Sequence, residues 1–278
     1  MNEQLPWLLL GGRSSGNLQE ARLQLHWAAQ VVSSLASTML PASSDDSHTN
    51  LCWMAEHRCL AGRFVTGDVR AALRLHDITL LLLNGRDEIL FEEPFEQRTL
   101  TAMFERLSAV AAQGIRLNRP TSTPPDHPVA HGDLFSSADE AAFEELSRWF
   151  GNSSLSLERI AASDSRASEV RCWPHHFDIA TLLSVSGHSL EGTPQTIGMG
   201  MTPGDGTISE PYFYVTPWPV GSRTSLPQLE GGEWHHNEWF GAVLRGSEAA
   251  ADSTEAGQKR TVEVFLQSAT VAALQLIV

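Results

Sequence analysis

Positive charge is scarce in this chain of 278 residues. Lysine and arginine together number 19, against 33 aspartates and glutamates, which gives a formal net charge of −14. An acidic surface of this kind repels phosphate backbones and anionic lipid headgroups. We therefore expect neither nucleic acid nor a membrane as a partner, whereas a small-molecule ligand and any oligomeric state remain open.

Long apolar runs are also missing, and we expect no secretory signal peptide. Runs such as Ile78–Leu83 are far shorter than the about 20 residues that a membrane-spanning helix needs. The first ten residues hold a glutamate and no basic residue, which argues against a secretory signal peptide. With 42% hydrophobic and 19% charged residues, the composition is that of a globular protein, and we expect a cytoplasmic one.

Cysteine is rare, and the three residues show no zinc-finger spacing. An odd number of cysteines without such spacing is typical of reduced thiols in a cytoplasmic protein. Cys52 and Cys59 are seven residues apart, so they lie on opposite faces of a straight strand. We expect no disulfide between them unless that strand bends.

Several catalytic motifs are absent. The sequence has neither the His-Glu-x-x-His motif of zinc hydrolases nor a Gly-x-Ser-x-Gly nucleophile turn. The glycines between 198 and 206 are interrupted by Pro203, and no helical pattern follows them, so they do not match a dinucleotide fingerprint. For Cys172, which has histidines nearby, a buried structural thiol is favoured over a nucleophile.

Apolar periodicity predicts both helices and strands. Helices are predicted over 17–39, over 99–113, from Ser136 or Ser137 toward 151, over 153–162 and over 261–277. Strands are predicted within 49–93, with Leu51–Ala61 as the first, and over 169–185, 196–201, 210–218 and 234–244. Asn84-Gly85 predicts a hairpin turn, and the polar stretch 246–260 predicts a loop.

The order of these elements suggests an internal duplication. A Cys-Trp pair occurs at 52–53 and again at 172–173, and the helical stretches 103–112 and 264–273 resemble each other. We therefore predict an α+β fold of two pseudo-repeated helix–antiparallel-sheet–helix units, with sheets covered by helices. The predicted division is 1–117, a proline-rich linker at 118–133, and 134–278. Coincidence is the alternative, and two domains or one joined core both remain open.

Two histidine pairs are the main candidates for a polar site. They lie in His175-His176-Phe177-Asp178 and in His235-His236-Asn237-Glu238. On a strand, alternate residues share a face, so each second histidine lies beside the following carboxylate. If the two strands paired, a divalent metal could be bound, and without a metal Asp178 could orient His176 as a general base. The predicted metal ligands are His176, Asp178, His236 and Glu238.

The alternative interpretation gives these histidines a structural role, because half-buried imidazoles often serve only as hydrogen-bond partners of a carbonyl or carboxylate group. Aromatic residues are concentrated in the second half, and two tryptophans flank the second histidine pair. Such rings could line a pocket for an apolar or sugar-like ligand, although a bulky core would explain most of them. The predicted ligand-binding residues are His175, His176, Asp178, Trp234, His235, His236, Glu238 and Trp239.

Several motifs resemble an uncharacterised bacterial family known only as a domain of unknown function. They are Trp173-x-x-x-Phe177-Asp178, a glycine-rich hairpin, Tyr212-Phe-Tyr214, Pro217–Pro219, Phe265-Leu-Gln-Ser, and the helix Leu25-His-Trp-Ala-Ala-Gln30. The resemblance spans most of the chain, and the Trp-x-x-x-Phe-Asp element fits best. It implies a bacterial cytoplasmic protein and no established activity.

Two functions follow as hypotheses. The favoured one is a module that binds a small ligand or a partner in a groove between two repeated halves, without a cofactor. The alternative is a metal-assisted, hydrolase-like enzyme that uses the four predicted metal ligands.

Overall fold

The fold is mixed α+β, with five α-helices and two antiparallel sheets in the described part of the chain. The structure is a computed structural model, which describes residues 6–13, 15–119, 124–188, 194–220 and 225–277. Residues 120–123 of the predicted linker, and part of the glycine-rich hairpin, lie outside the described residues.

The helices largely follow the predicted apolar periodicity. They are α1 (Ser15–Met39), α2 (Leu100–Ala111), α3 (Glu140–Ser163), α4 (Gly246–Ala249) and α5 (Glu255–Leu274), with a short 3-10 helix at Pro128–His131. The two helices predicted around residue 151 form the single helix α3. Within the described ranges, no helix combines the length and the apolar character that crossing a membrane requires.

The prediction of a loop over 246–260 is wrong. Helix α4 occupies its first residues, and α5 begins at Glu255. Thr254 caps α5, because its side chain accepts a hydrogen bond from the backbone N–H of Gly257. The first turn of α5 lies mostly in solvent, so it lacks the apolar stripe from which helices are recognised in a sequence.

Each sheet follows the order of the chain closely. The first consists of β1 (Cys52–Met54), β2 (Cys59–Ala61), β3 (Val69–Arg74), β4 (Thr79–Asn84) and β5 (Ile89–Pro94), in the order β1-β2-β3-β4-β5. The second consists of β6 (Arg171–Trp173), β7 (Asp178–His188), β8 (Pro194–Thr202), β9 (Tyr212–Trp218), β10 (Glu233–His235) and β11 (Gly241–Arg245). Its order is β10-β11-β9-β8-β7-β6.

Both Cys-Trp segments are hairpins, which corrects the two straight strands predicted for them. Residues 55–58 form the turn between β1 and β2, and residues 174–177 form a turn before β7. The last residue of each turn is left-handed, with φ 50° at Arg58 and 57° at Phe177. Neither residue type signals a left-handed turn in a sequence. The predicted turn at Asn84-Gly85 does form, between β4 and β5.

The chain groups into two compact units. One, here the central unit, contains residues 16–147 and 171–177. The other, here the terminal unit, contains the described residues before 16, those from 148 to 170, and those from 178 onward. These boundaries differ from the predicted ones, and the predicted domains stay a prediction.

In the terminal unit, α5 packs against one face of the sheet. Residues of β8 and β9 on that face, such as Met199, Phe213 and Val215, are fully buried. Thr270 of α5 donates a hydrogen bond to the sulfur of Met199 over 3.1 Å. The alternate residues, among them Gly200 and Tyr214, therefore lie on the opposite face.

A single buried glutamine holds the N-terminal segment of the terminal unit. The Gln258 side-chain amide donates hydrogen bonds to the carbonyls of Leu10, Ala250 and Asp252 at 3.0, 3.3 and 2.9 Å. Its oxygen accepts from the Leu10 backbone N–H at 2.9 Å and from the Trp7 indole at 3.4 Å. With 1% of its surface exposed, Gln258 satisfies groups that water cannot reach.

Replacing Gln258 with methionine should lower the free energy of unfolding by about 3 kcal/mol or more, because several buried polar groups lose their partners together. Urea denaturation would measure the loss. Gln267→Met is the matched control, since Gln267 lies on the same helix and is exposed. We expect the control to change stability by less than about 0.5 kcal/mol. Equal effects of the two substitutions would contradict this role of Gln258.

Candidate functional site

The sheet order separates the two predicted histidine groups. Strand β7 begins at Asp178 and β10 ends at His235, and β8, β9 and β11 lie between them. Four strand spacings amount to about 19 Å. The direct pairing of these strands, which the metal hypothesis assumed, is therefore wrong. Among the residues that the structure describes, no three His, Cys, Asp or Glu side chains are grouped as metal ligands. The four predicted metal ligands therefore stay a prediction, which the strand order of the second sheet does not support.

Residues of the second histidine group contact separate partners. His236 donates from Nδ1 to the Trp234 carbonyl over 3.3 Å, just beyond the end of β10. Glu238 accepts a hydrogen bond of 2.7 Å from the Thr207 hydroxyl. Trp234 donates its indole N–H to the Pro227 carbonyl at 2.8 Å. These contacts are local, so they do not form a shared polar centre.

His175 and His176 lie in the turn of residues 174–177, within the central unit. Their ring centroids are 4.4 Å apart. Helix α1 fixes this turn, because His26 Nε2 and Gln30 Nε2 both donate to the Pro174 carbonyl, at 2.9 and 2.6 Å. Phe177 stacks on the His26 ring at 5.2 Å. The two predicted histidines are therefore part of a docked hairpin turn.

His26 is the histidine whose protonation bears on this docking. Burial lowers the pKa of His26 from 6.5 to about 4, and the hydrogen bond to Pro174 opposes that shift only in part. Its ring is therefore neutral near pH 7, with the proton on Nε2 because a carbonyl can only accept.

The free energy of unfolding should consequently fall as pH drops from about 6.5 to about 4. Over that range the unfolded chain binds a proton at His26 and the folded chain does not. The loss that His26 contributes is on the order of 3 kcal/mol. Urea titrations at several pH values should show a shallower pH dependence for His26→Gln. His131→Gln, which changes an exposed histidine, is the control. Parallel curves for wild type and His26→Gln would refute this expectation.

A cluster of tyrosines and carboxylates lies on the sheet face opposite α5. The Tyr214 hydroxyl donates a hydrogen bond to the carboxylate of Asp178. Tyr214 belongs to β9 and Asp178 to β7, so the tyrosine side chain crosses β8 at Gly200. A Cβ atom at Gly200 would lie 2.5 Å from the Tyr214 hydroxyl oxygen. Only glycine therefore leaves room for this bond.

Tyr212 and Trp239 extend the cluster. The Tyr212 hydroxyl donates to Asp205 over 2.6 Å. The Trp239 ring lies parallel to Tyr212 at 6.2 Å and edge-on to Tyr214 at 6.4 Å. Gly241 makes room for it, since a Cβ atom there would come within 2.7 Å of the indole. Tyr212 and Tyr214 are the only tyrosines of the chain.

His235 completes the cluster. Its ring centroid is 4.6 Å from that of Trp239. Its Nε2 atom is buried and has no hydrogen-bond partner in the described part of the chain. A buried polar atom without a partner is uncommon in folded proteins and is often explained by a ligand or water. We use the name aromatic–carboxylate cluster for Asp178, Asp205, Tyr212, Tyr214, His235 and Trp239.

The surroundings of the cluster are acidic and partly open to solvent. Residues 178–245 include seven acidic side chains and two arginines. One of the two arginines, Arg245, forms a salt bridge of 3.2 Å with Glu233. On the same sheet face, Leu182 is 45% exposed and Trp218 is 61% exposed. The face therefore exposes one tryptophan ring and one leucine to solvent beyond the cluster itself.

Comparison with protein-family models, with curated proteins and with solved structures finds no match to this chain. The resemblance to a domain-of-unknown-function family therefore gains no positive support. The candidate site rests on its own geometry.

Three of the predicted ligand-binding residues, Asp178, His235 and Trp239, belong to the cluster. The centre of the cluster, Tyr214, was not predicted as a site residue, because it stood out only as one of the aromatic residues of the second half and in the Tyr212-Phe-Tyr214 motif. Its spacing was a partial signal. Tyr212 and Tyr214 are two residues apart on β9, which places both side chains on one face.

Substituting alanine for Gly200 should disrupt the bond between Tyr214 and Asp178, since the added methyl group would overlap the tyrosine ring. Overpacking of this kind costs about 1–3 kcal/mol of unfolding free energy, which urea denaturation would measure. Gly206→Ala is the control, because nothing lies within 4 Å of a Cβ atom at that position. If both variants were equally stable, the close approach at Gly200 would not matter.

Proposed function

We propose that this chain is a binding module for a small ligand with a positively charged nitrogen, held at the aromatic–carboxylate cluster. One observation carries the proposal: Tyr214 bonds to Asp178 across Gly200, and Trp239 lies edge-on beside it. Aromatic faces attract cations through their quadrupole, and quaternary ammonium groups are recognised by sets of such rings. A carboxylate beside the rings strengthens that attraction.

Charge favours a cationic ligand over a neutral or anionic one. The region that contains the cluster has an acidic surplus. Within the cluster, Asp178 accepts a hydrogen bond from Tyr214 and Asp205 accepts one from Tyr212. A neutral hydroxyl donor adds no positive charge to a carboxylate, so both aspartates favour a cation over an anion at this place. A sugar-like ligand would use the rings but not this charge.

The predicted duplication remains part of the proposal. It is supported by the two Cys-Trp pairs, each of which precedes a four-residue turn with a left-handed last residue. Binding at the cluster does not need the groove predicted between two halves. A cytoplasmic location is proposed as well, because Cys52 and Cys59 are both thiols. The metal-assisted hydrolase stays the alternative, although β8, β9 and β11 lie between β7, which begins at Asp178, and β10, which precedes His236 and Glu238.

Choline and its neutral isostere 3,3-dimethyl-1-butanol are the ligands that test the proposal. We expect choline to bind about tenfold more tightly, since a cation–π contact contributes about 0.5–2 kcal/mol. Protein labelled with fluorotyrosine gives a direct measurement by ¹⁹F NMR. Both tyrosines lie in the cluster, so their two resonances report on this site alone. Equal affinities for the two ligands, or unmoved resonances at saturating choline, would refute the proposal.

Asp178→Asn tests the role of the carboxylate. Asparagine keeps an oxygen that can accept from Tyr214 but lacks the charge, so choline binding should weaken while binding of the neutral isostere stays unchanged. Glu255→Gln, which neutralises an exposed carboxylate at the start of α5, is the matched control. A similar loss in both variants would mean that overall charge, and not Asp178, controls binding.

A further inference from the structure

Three sulfur atoms lie on one face of the hairpin β1/β2 in the central unit. Cys52 and Met54 are two residues apart on β1, so their side chains share a face. Met54 pairs directly with Cys59 of β2, which places Cys59 on that same face. Directly opposed Cβ atoms are about 5 Å apart and diagonal ones about 7 Å apart. The hairpin thus brings together two thiols and a thioether.

Arg70 shows that two of these sulfurs converge. Its guanidinium donates to Cys52 Sγ at 3.6 Å and to Met54 Sδ at 3.0 Å. Cys59 is completely buried, and Cys52 and Met54 pack against the apolar cluster that contains it. The other buried members of that cluster are Ala61, Ala72, Leu81 and Leu83. The sulfur of Cys59 therefore lies in a dry, apolar region, and the half-buried Cys52 and Met54 lie at its edge.

We propose that Cys52, Met54 and Cys59 form a binding site for one soft monovalent metal ion, Cu(I). Thiolate and thioether ligands select Cu(I) over harder ions. The set includes no imidazole and no carboxylate, and Asp87 pairs with Arg70. This distinguishes it from the nitrogen and oxygen ligands that zinc, magnesium and calcium prefer.

The loaded site carries one net negative charge. Binding releases the two thiol protons to solvent, and two thiolates with one Cu(I) ion carry a net charge of −1. Arg70 lies beside the sulfurs and is itself paired with Asp87, so it stabilises the thiolates as a hydrogen-bond donor and leaves the total charge at −1. It is 9% exposed, and its Nε atom has no hydrogen-bond partner within the described ranges. That N–H group is therefore available to a thiolate, as an outer hydrogen bond of the metal site.

Binding should depend on pH. Each cysteine must lose its thiol proton to bind Cu(I) as a thiolate, so the affinity should rise with pH.

The test is a Cu(I) titration of the full chain under anaerobic, reducing conditions, with a chromophoric chelator as competitor. We expect one bound equivalent, an ultraviolet thiolate-to-copper charge-transfer band, and sulfur as the only neighbour of copper in X-ray absorption. Cys52→Ser and Cys59→Ser should each abolish the band. Arg70→Gln should weaken binding by about tenfold.

Cys172→Ser is the matched control, because Cys172 is also a buried cysteine of the central unit, and it should bind copper like the wild type. Met54→Leu preserves volume in a half-buried strand, so it folds even if a cysteine variant does not. It should bind more weakly and show one sulfur neighbour fewer. The proposal is overturned by loss of binding in Cys172→Ser alone, by unchanged binding in Met54→Leu, by a Cys52–Cys59 disulfide in place of copper, or by no bound copper.

Discussion

The hydrogen bond between Tyr214 and Asp178 is the interaction on which the candidate site depends. It joins β7 to β9 across the intervening strand, and it exists because Gly200 has no side chain in its path. The bond fixes the tyrosine ring on the sheet face, and Trp239 packs against that fixed ring over a second glycine, Gly241. Two missing side chains thus determine where the aromatic rings can lie.

Sequence patterns predicted the elements whose signals are local. Helices α1 and α2 have apolar stripes, and the turn at Asn84-Gly85 has the residues that such turns require. The hairpins in the Cys-Trp segments escaped prediction, because Arg58 and Phe177 adopt left-handed conformations that their residue types disfavour. For Phe177 the reason lies far away in the sequence, where His26 and Gln30 hold the turn.

The site was predictable only in its parts. Asp178, His235 and Trp239 stood out because carboxylates, imidazoles and indoles are common in binding sites, but their arrangement depends on strand order. Nothing within β7 or β10 encodes that β9 lies between them. The sequence therefore suggested a metal joining two adjacent strands, whereas the observed contacts pass through Tyr214, a residue of the intervening strand.

The hydrogen bonds of Gln258 have a consequence for biosynthesis. Trp7 and Leu10 leave the ribosome early, yet their partner is about 250 residues behind them in the chain. Until Gln258 has emerged, the indole of Trp7 and the backbone of Leu10 stay bonded to water, and the apolar side chains of this segment stay exposed to other nascent chains. The sheet of β1–β5 is built from hairpins between neighbouring strands, so all its residues have emerged long before Gln258. The central sheet can thus assemble on the nascent chain well before Gln258 can bind the N-terminal segment.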